Sequence, residues 1–168
     1  MAGFPTDSET IKILDAIEAR WLADQILRDW SQTNLGAIPN VYIGIYTNKP
    51  PPEAAYPLLA VSNISRVGRG STRNYHEYAL DIWAGVFNTE QIVTGTPGSG
   101  QSFKLRGFQL VEGLRDMAEN AIFREGLNRR WKVDTSGETV SDAAGYFFKS
   151  FSAVQIEIIA GSMTPLAK

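Results

Sequence analysis

Between Asn74 and Phe87, NYHEYALDIWAGVF, the side chains keep a two-residue rhythm. Tyr75, Glu77, Ala79, Asp81 and Trp83 share one parity, and His76, Tyr78, Leu80, Ile82 and Ala84 share the other. A strand turns successive side chains to opposite sides, so this run predicts a long strand. From Tyr78 onward one side is apolar and suits a helix layer. The other side mixes aromatic and acidic groups and suits water or a second subunit.

From Thr6 to Gly36 the period is helical. Ile11, Leu14, Ile17, Trp21, Leu22, Ile26 and Trp30 recur on one face, with Lys12, Glu18, Arg20, Asp24 and Arg28 mostly off it. Thr6 and Glu9 have the spacing of a capping box, and Gly36 followed by Pro39 gives a stop. Asp24 and Arg28 stand one turn apart, a pair worth about 0.3 kcal/mol. Trp21 and Trp30 read as core anchors.

Val41 to Thr47 alternates as a first strand, and three prolines then impose a stiff connector. Pro57 opens a second strand, LLAVSNI. Ser65 to Ser71 reads as a glycine-punctuated turn carrying Arg66 and Arg69, with Arg73 just beyond. Its glycines lack the spacing of a phosphate-binding loop, and no helix follows them. The arginines are either solvated or placed to meet a DNA backbone or a neighbouring subunit. After Phe87 the pattern fades into GTPGSG, a flexible-loop composition. Helical spacing returns from Ser102 to Phe123. Gly107 and Gly113 inside it each cost about 1 kcal/mol relative to alanine, which predicts close packing there. Arg115 and Glu119 are spaced to pair. Leu127 to Val133 suggests a short strand, Asp134 to Gly145 a polar loop or edge excursion, and Tyr146 to Ala160 a last strong strand.

The expected fold is α+β, a mostly antiparallel (mixed) sheet with two long helices packed on one face. One domain is expected over residues 1–168, with loose ends at 1–6 and 161–168. A formal net charge of −2 argues against a protein devoted to gripping nucleic acid or an anionic membrane. The start of the chain lacks the pattern of a signal peptide, and no apolar run is long enough to span a bilayer, so synthesis and assembly in a cytoplasm are expected.

Composition also narrows the chemistry. With no cysteine, disulfides, thiolate catalysis and cysteine-based zinc sites are excluded. His76 is the sole histidine, and strand parity sets Glu77 and Asp81 on the opposite side from it, which leaves no triad. No catalytic, cofactor or metal residues are expected. Asn63-Ile64-Ser65 fits a glycosylation acceptor, a match of little weight without a secretion signal. A rival enzyme reading would place His76, Asp81 and Trp83 in a pocket formed by a curved sheet.

Large aromatics are in surplus. Tyr42, Tyr46, Tyr75, Trp83, Tyr146, Phe147, Phe148 and Phe151 exceed what one side of a thin two-layer core can hide. Aromatic patches left on a domain surface usually mean association. Tyr75, Trp83, Tyr146, Phe147 and Phe148 are therefore the candidate subunit-interface residues. A ring of head-to-tail contacts covers such patches on every copy.

The layout resembles the tail terminator, or tail completion, proteins of long-tailed bacteriophages. The resemblance rests on an amphipathic first helix and on Tyr56-Pro57-Leu58-Leu59-Ala60-Val61 entering a strand. It continues with the long strand Tyr75-His76-Glu77-Tyr78-Ala79-Leu80-Asp81-Ile82-Trp83-Ala84, a second helix over Phe103 to Phe123 and a final strand over Phe151 to Ile159. It covers about Thr10 to Gly161 and is one of pattern, without a chemically diagnostic residue. It implies a virion structural protein of the tail and neck, without cofactor. Its hexameric ring would cap the tail tube, end tube growth and join a head completion or stopper protein. Genomic DNA would pass the lumen without sequence-specific contact. Arg66, Arg69 and Arg73 become candidates for the lumen or a subunit boundary. The chain departs from shorter members at Thr94 to Gly100 and Asp134 to Gly145, segments suited to reach a neighbour or the tube. A head-side connector fits the same residues.

Overall fold

A computed structural model describes residues 8–44, 51–69, 75–128 and 131–159. The first helical run is two helices rather than one: α1 spans Glu9–Ala23 and α2 spans Gln25–Leu35. Ser8, not Thr6, caps α1, its hydroxyl accepting from the Ile11 amide at 3.2 Å. The break falls at Asp24, which has extended backbone and whose carboxylate accepts from the Leu27 amide at 2.8 Å, capping α2. Arg28 does not pair with Asp24. It donates to the Leu22 carbonyl instead, and Arg124 lies 3.6 Å from Asp24. Gly36 ends α2 in the left-handed conformation, as its position predicts.

Five strands form the main sheet in the order β1 (Asn40–Ile43), β2 (Leu58–Arg69), β3 (Tyr75–Phe87), β7 (Phe147–Ile159), β6 (Trp131–Ala144). β1 runs parallel to β2, and every other pairing is antiparallel, so the sheet is mixed. β3 and β7 pair without interruption from Tyr75↔Ile159 to Phe87↔Phe147. The long strand read from the sequence is thus the centre of the sheet.

Four sequence expectations are corrected or refined. β2 continues through Ser65 and Arg66 to Arg69, so these residues belong to a strand and not to a turn. The tract after Phe87 folds as a separate two-stranded ribbon, β4 (Gln91–Gly95) with β5 (Gln101–Leu105), and the glycine-rich segment is its turn. The helix expected from Ser102 begins after β5, as α3 (Arg106–Glu125). Of the two readings of the polar segment after Val133, loop or edge excursion, the second holds: it lies in β6, the edge strand, which shifts register between Thr135 and Thr139.

All three helices contribute to one core against the sheet. Ile13, Ile17 and Trp21 from α1, Leu27 from α2, and Val111, Leu114, Ala118 and Ile122 from α3 meet Leu80, Ile82, Val154, Ile156 and Ile158. The Trp21 indole donates to the Ala118 carbonyl at 3.0 Å, fixing α1 on α3. The two helical glycines are contact points. A Cβ on Gly107 would stand 2.1 Å from the Phe148 ring, and one on Gly113 would stand 2.6 Å from Trp30. Glycine here lets an aromatic ring lie directly on the helix backbone, the close packing that the sequence implies.

Candidate functional site

Strand parity divides the sheet into two unlike faces. The even positions of β3, from Tyr78 to Val86, are buried under the helices. The odd positions point away from them. In that direction Trp83 stacks on its cross-strand partner Phe151, centroids 5.3 Å apart and planes 29° apart. Phe87 and Phe147 meet at 4.9 Å, and Tyr56 reaches Phe147 at 5.3 Å. The Trp83 indole donates to the Ser62 hydroxyl at 2.8 Å, and the Lys149 ammonium lies 5.4 Å from the Trp83 ring. These contacts place two groups of rings on β3 and β7, Trp83 with Phe151 and Phe87 with Phe147 and Tyr56, each ring partly buried. Among the described residues, no helix covers this face.

The charges on the same face are mostly acidic. Glu77, Asp81, Asp134, Asp142 and Glu157 outnumber Lys132 and Lys149 at these register positions. Asp81 accepts from the Asn63 amide at 2.9 Å, and Lys149 lies 3.9 Å from Asp142.

Trp83 and Phe147 therefore lie on the open face, and Tyr146 is 49 % exposed in the turn before β7. Phe148 is corrected: it is fully buried, edge-on to Phe108 at 5.0 Å and seated on Gly107, so it belongs to the core. A strand that sends Phe147 outward must send Phe148 inward. Arg66 is exposed on β2. Arg73 and Tyr46 lie outside the described residues, as do the side chains of Arg69 and Tyr75.

The enzyme trio is not brought together. Asp81 and Trp83 face away from the helices, whereas His76 points to them and meets Glu9 at the start of α1. Glu9 Oε2 is 2.7 Å from His76 Nδ1 and accepts a short hydrogen bond from the Tyr78 hydroxyl. Burial opposes the charged form of Glu9. Hydrogen bonds from Tyr78 and His76, with the positive charges of His76 and Arg66, outweigh it and hold the carboxyl below its ordinary 4.5. Burial and the bond to Glu9 push the Tyr78 phenol up to about 12.

This cluster ties the helix layer to the central strand, and its pH dependence has a definite sign. A carboxyl depressed by folding stabilises the fold above its unfolded value, and that stability is lost as pH falls through the folded value. Glu9→Gln is expected to cost about 1–3 kcal/mol near neutral pH. The gap from wild type should close as pH falls below the ordinary 4.5. Urea unfolding of both proteins from about pH 7 to about pH 3 measures this, and a gap that persists at the acid end counts against the cluster.

A second polar network lies between α3 and the sheet. Arg115 donates to Ser150 at 2.8 Å and pairs with Asp116 at 2.8 Å, rather than with Glu119. Ser141 bridges Ser150 and Glu112 at 2.9 and 3.0 Å. Its members satisfy one another, as a structural network does. Among the described residues no group of three or more His, Cys, Asp or Glu is placed to hold a metal ion, and no helix is long and apolar enough to cross a membrane. A shallow groove of about 430 Å³ runs between α2 and α3, lined by Ile26, Met117, Asn120, Phe123 and Arg124.

The ribbon β4–β5 is the other exposed feature. Every residue from Gln91 to Lys104 is exposed, including Ile92 at 39 %, Val93 at 47 % and Phe103 at 57 %. Val93 and Phe103 are cross-strand partners and share one side. At the base Arg106 grips both carboxylate oxygens of Glu90 at 2.9 Å, and the Arg106 amide donates to the Glu90 carbonyl at 3.1 Å. The Asn88 amide donates to the Tyr146 carbonyl, joining the ribbon's root to the β6–β7 turn. Sequence reasoning missed this ribbon. Its signal was the apolar pair Ile92-Val93 set against Phe103 across a glycine-rich turn.

Compared with models of known protein families and with curated proteins, the sequence matches none.

Proposed function

We propose that this chain is a virion structural protein, a tail terminator. Copies of it form a hexameric ring that caps the tail tube, ends tube growth and joins the tail to the head-side stopper protein. The observation that carries the reading is the two partly exposed ring pairs, Trp83–Phe151 and Phe87–Phe147, on the sheet face opposite the helices. A chain that already holds a full core on its other face has no intramolecular use for those pairs. Association covers them. The order of helix, strands, helix and closing strand supports the same reading through the resemblance set out above.

The mechanism is binding alone. The ring takes the place of the next tube ring and hides the surface on which it would add, while DNA passes the lumen. Arg66, exposed on β2, and its neighbours Arg69 and Arg73 are assigned to the lumen or to a subunit boundary, where positive charge meets phosphate or a carboxylate.

Light scattering on the purified protein, followed by negative-stain imaging, tests the proposal. A six-fold ring is expected. A twelve-fold ring would move the protein to the head-side connector. A single copy at high concentration would remove both.

A further inference from the structure

Two unpartnered surfaces of this chain have complementary chemistry, and we infer that the β4–β5 ribbon of one copy lies across the open aromatic sheet face of the next. The inference rests on the ring reading and adds which surfaces meet. An isolated two-stranded ribbon is marginal in water, because its strands have no layer to pack on. This ribbon nevertheless carries a defined register from Gln91↔Leu105 to Gly95↔Gln101, and its root is locked by the Glu90–Arg106 pair. It is held out from its own body with Val93 and Phe103 side by side and exposed. A partner surface completes it.

The open face of a second copy fits in three respects. It is aromatic where the ribbon is apolar, with Trp83 and Phe151 stacked at its middle. It is wide enough: five residues of strand reach about 17 Å, and adjacent strands lie about 4.8 Å apart, so the ribbon crosses about three strands. Its surplus charge is negative, whereas the sole charge between Gln91 and Leu105 is Lys104. The Lys104 stem is long enough to bring its ammonium around the ribbon's edge to Asp81 or Asp142. A ribbon with one cation and an apolar pair adds no negative charge to such a face. Because ribbon and face are different patches of one chain, the contact is head-to-tail, the kind that propagates around a ring.

The groove between α2 and α3 is the competing seat. It offers Ile26 and Phe123 but sets Arg124 beside the incoming Lys104. Asp24, 3.6 Å from Arg124, already answers that cation, so the described residues of the groove offer Lys104 no free acidic partner of the kind the open face has.

A photoreactive benzoylphenylalanine placed at position 103 in the full chain, in a mixture of isotope-labelled and unlabelled copies, tests the contact. The expected product is a mixed-label crosslink to the peptides carrying Trp83 or Phe151. A crosslink to the α2–α3 groove, or none in a protein that still forms rings, overturns the docking and leaves the ring standing. Crosslinks at Trp83 or Phe151 in an assembly that is not six-fold sustain the docking and overturn the terminator reading. A protein that stays single overturns both. As a second measurement, Val93→Ser with Phe103→Ser is expected to weaken self-association about thirtyfold or more, the loss of a hot-spot contact. Its melting temperature as a dilute single chain should change little, because both side chains are exposed in their own copy and lose only their contact with each other. Undiminished association overturns the docking.

Discussion

Phe148→Ala is expected to cost about 3–5 kcal/mol of folding stability, enough to abolish the fold of a marginal domain. The ring is fully buried, meets Phe108 edge-on and lies against the backbone of α3 at Gly107. Truncation leaves a cavity between helix and sheet that the strand, paired on both sides, cannot close. The same contact predicts a coupling. Gly107→Ala alone puts a methyl group 2.1 Å from ring carbons of Phe148. That overpacking costs about 1–3 kcal/mol. In the Phe148→Ala background the added methyl occupies vacated space, so its cost should vanish. Urea midpoints of the two single variants and the double variant measure the coupling, and strictly additive costs would show that ring and glycine do not touch. An interface residue would behave differently, with self-association weakened and the isolated fold intact.

Trp21→Ala is the second large loss, again about 3–5 kcal/mol. The indole is 2 % exposed and occupies the meeting point of α1 and α3. Its ring nitrogen also satisfies the Ala118 carbonyl. Trp21→Phe separates the two contributions. It keeps most of the apolar contact, drops the hydrogen bond and should cost about 1–2 kcal/mol. Thermal unfolding followed by circular dichroism reads both. Equal losses for Phe and Ala would mean that the hydrogen bond, not the packing, holds the helix.

Sequence period was a good guide to β3 and β7, where one parity is buried along the strand, and misled over α1 and α2, where Ile11, Leu22 and Ile26 keep the beat yet are exposed. The run from Tyr75 to Phe87 alternates because one parity is under helices and the other is not, so both its length and its faces could be read. Gly107 and Gly113 announced close approach because glycine in a helix has a cost that packing must offset. The break at Asp24 was invisible. Trp21, Leu22, Ile26 and Trp30 keep a helical beat across it, and the cause is a carboxylate turned back onto an amide. β4 and β5 are exposed on both sides, so no burial rhythm marks them. β6 pairs on one side only and is polar for that reason. Phe148 was legible in principle: counting back by twos from Ile158 through Ile156, Val154, Ser152 and Ser150 lands on it. The Glu9–His76 contact had no sequence signal, since it joins residues far apart in the chain through the fold alone.

The register shift in β6 between Thr135 and Thr139 bears on what the outer edge of the sheet can pair with. A flat, regular outer strand of this length would invite a foreign strand to zip alongside, and then another, without limit. An interrupted ladder bordered by Lys132, Asp134 and Asp142 discourages that growth. Whether a head-to-tail contact closes into a ring or runs on as a filament is set by the rotation between successive copies, and an edge that resists pairing removes one competing route. For the ring proposed above, an outer strand that resists pairing favours closure over open-ended growth along that edge.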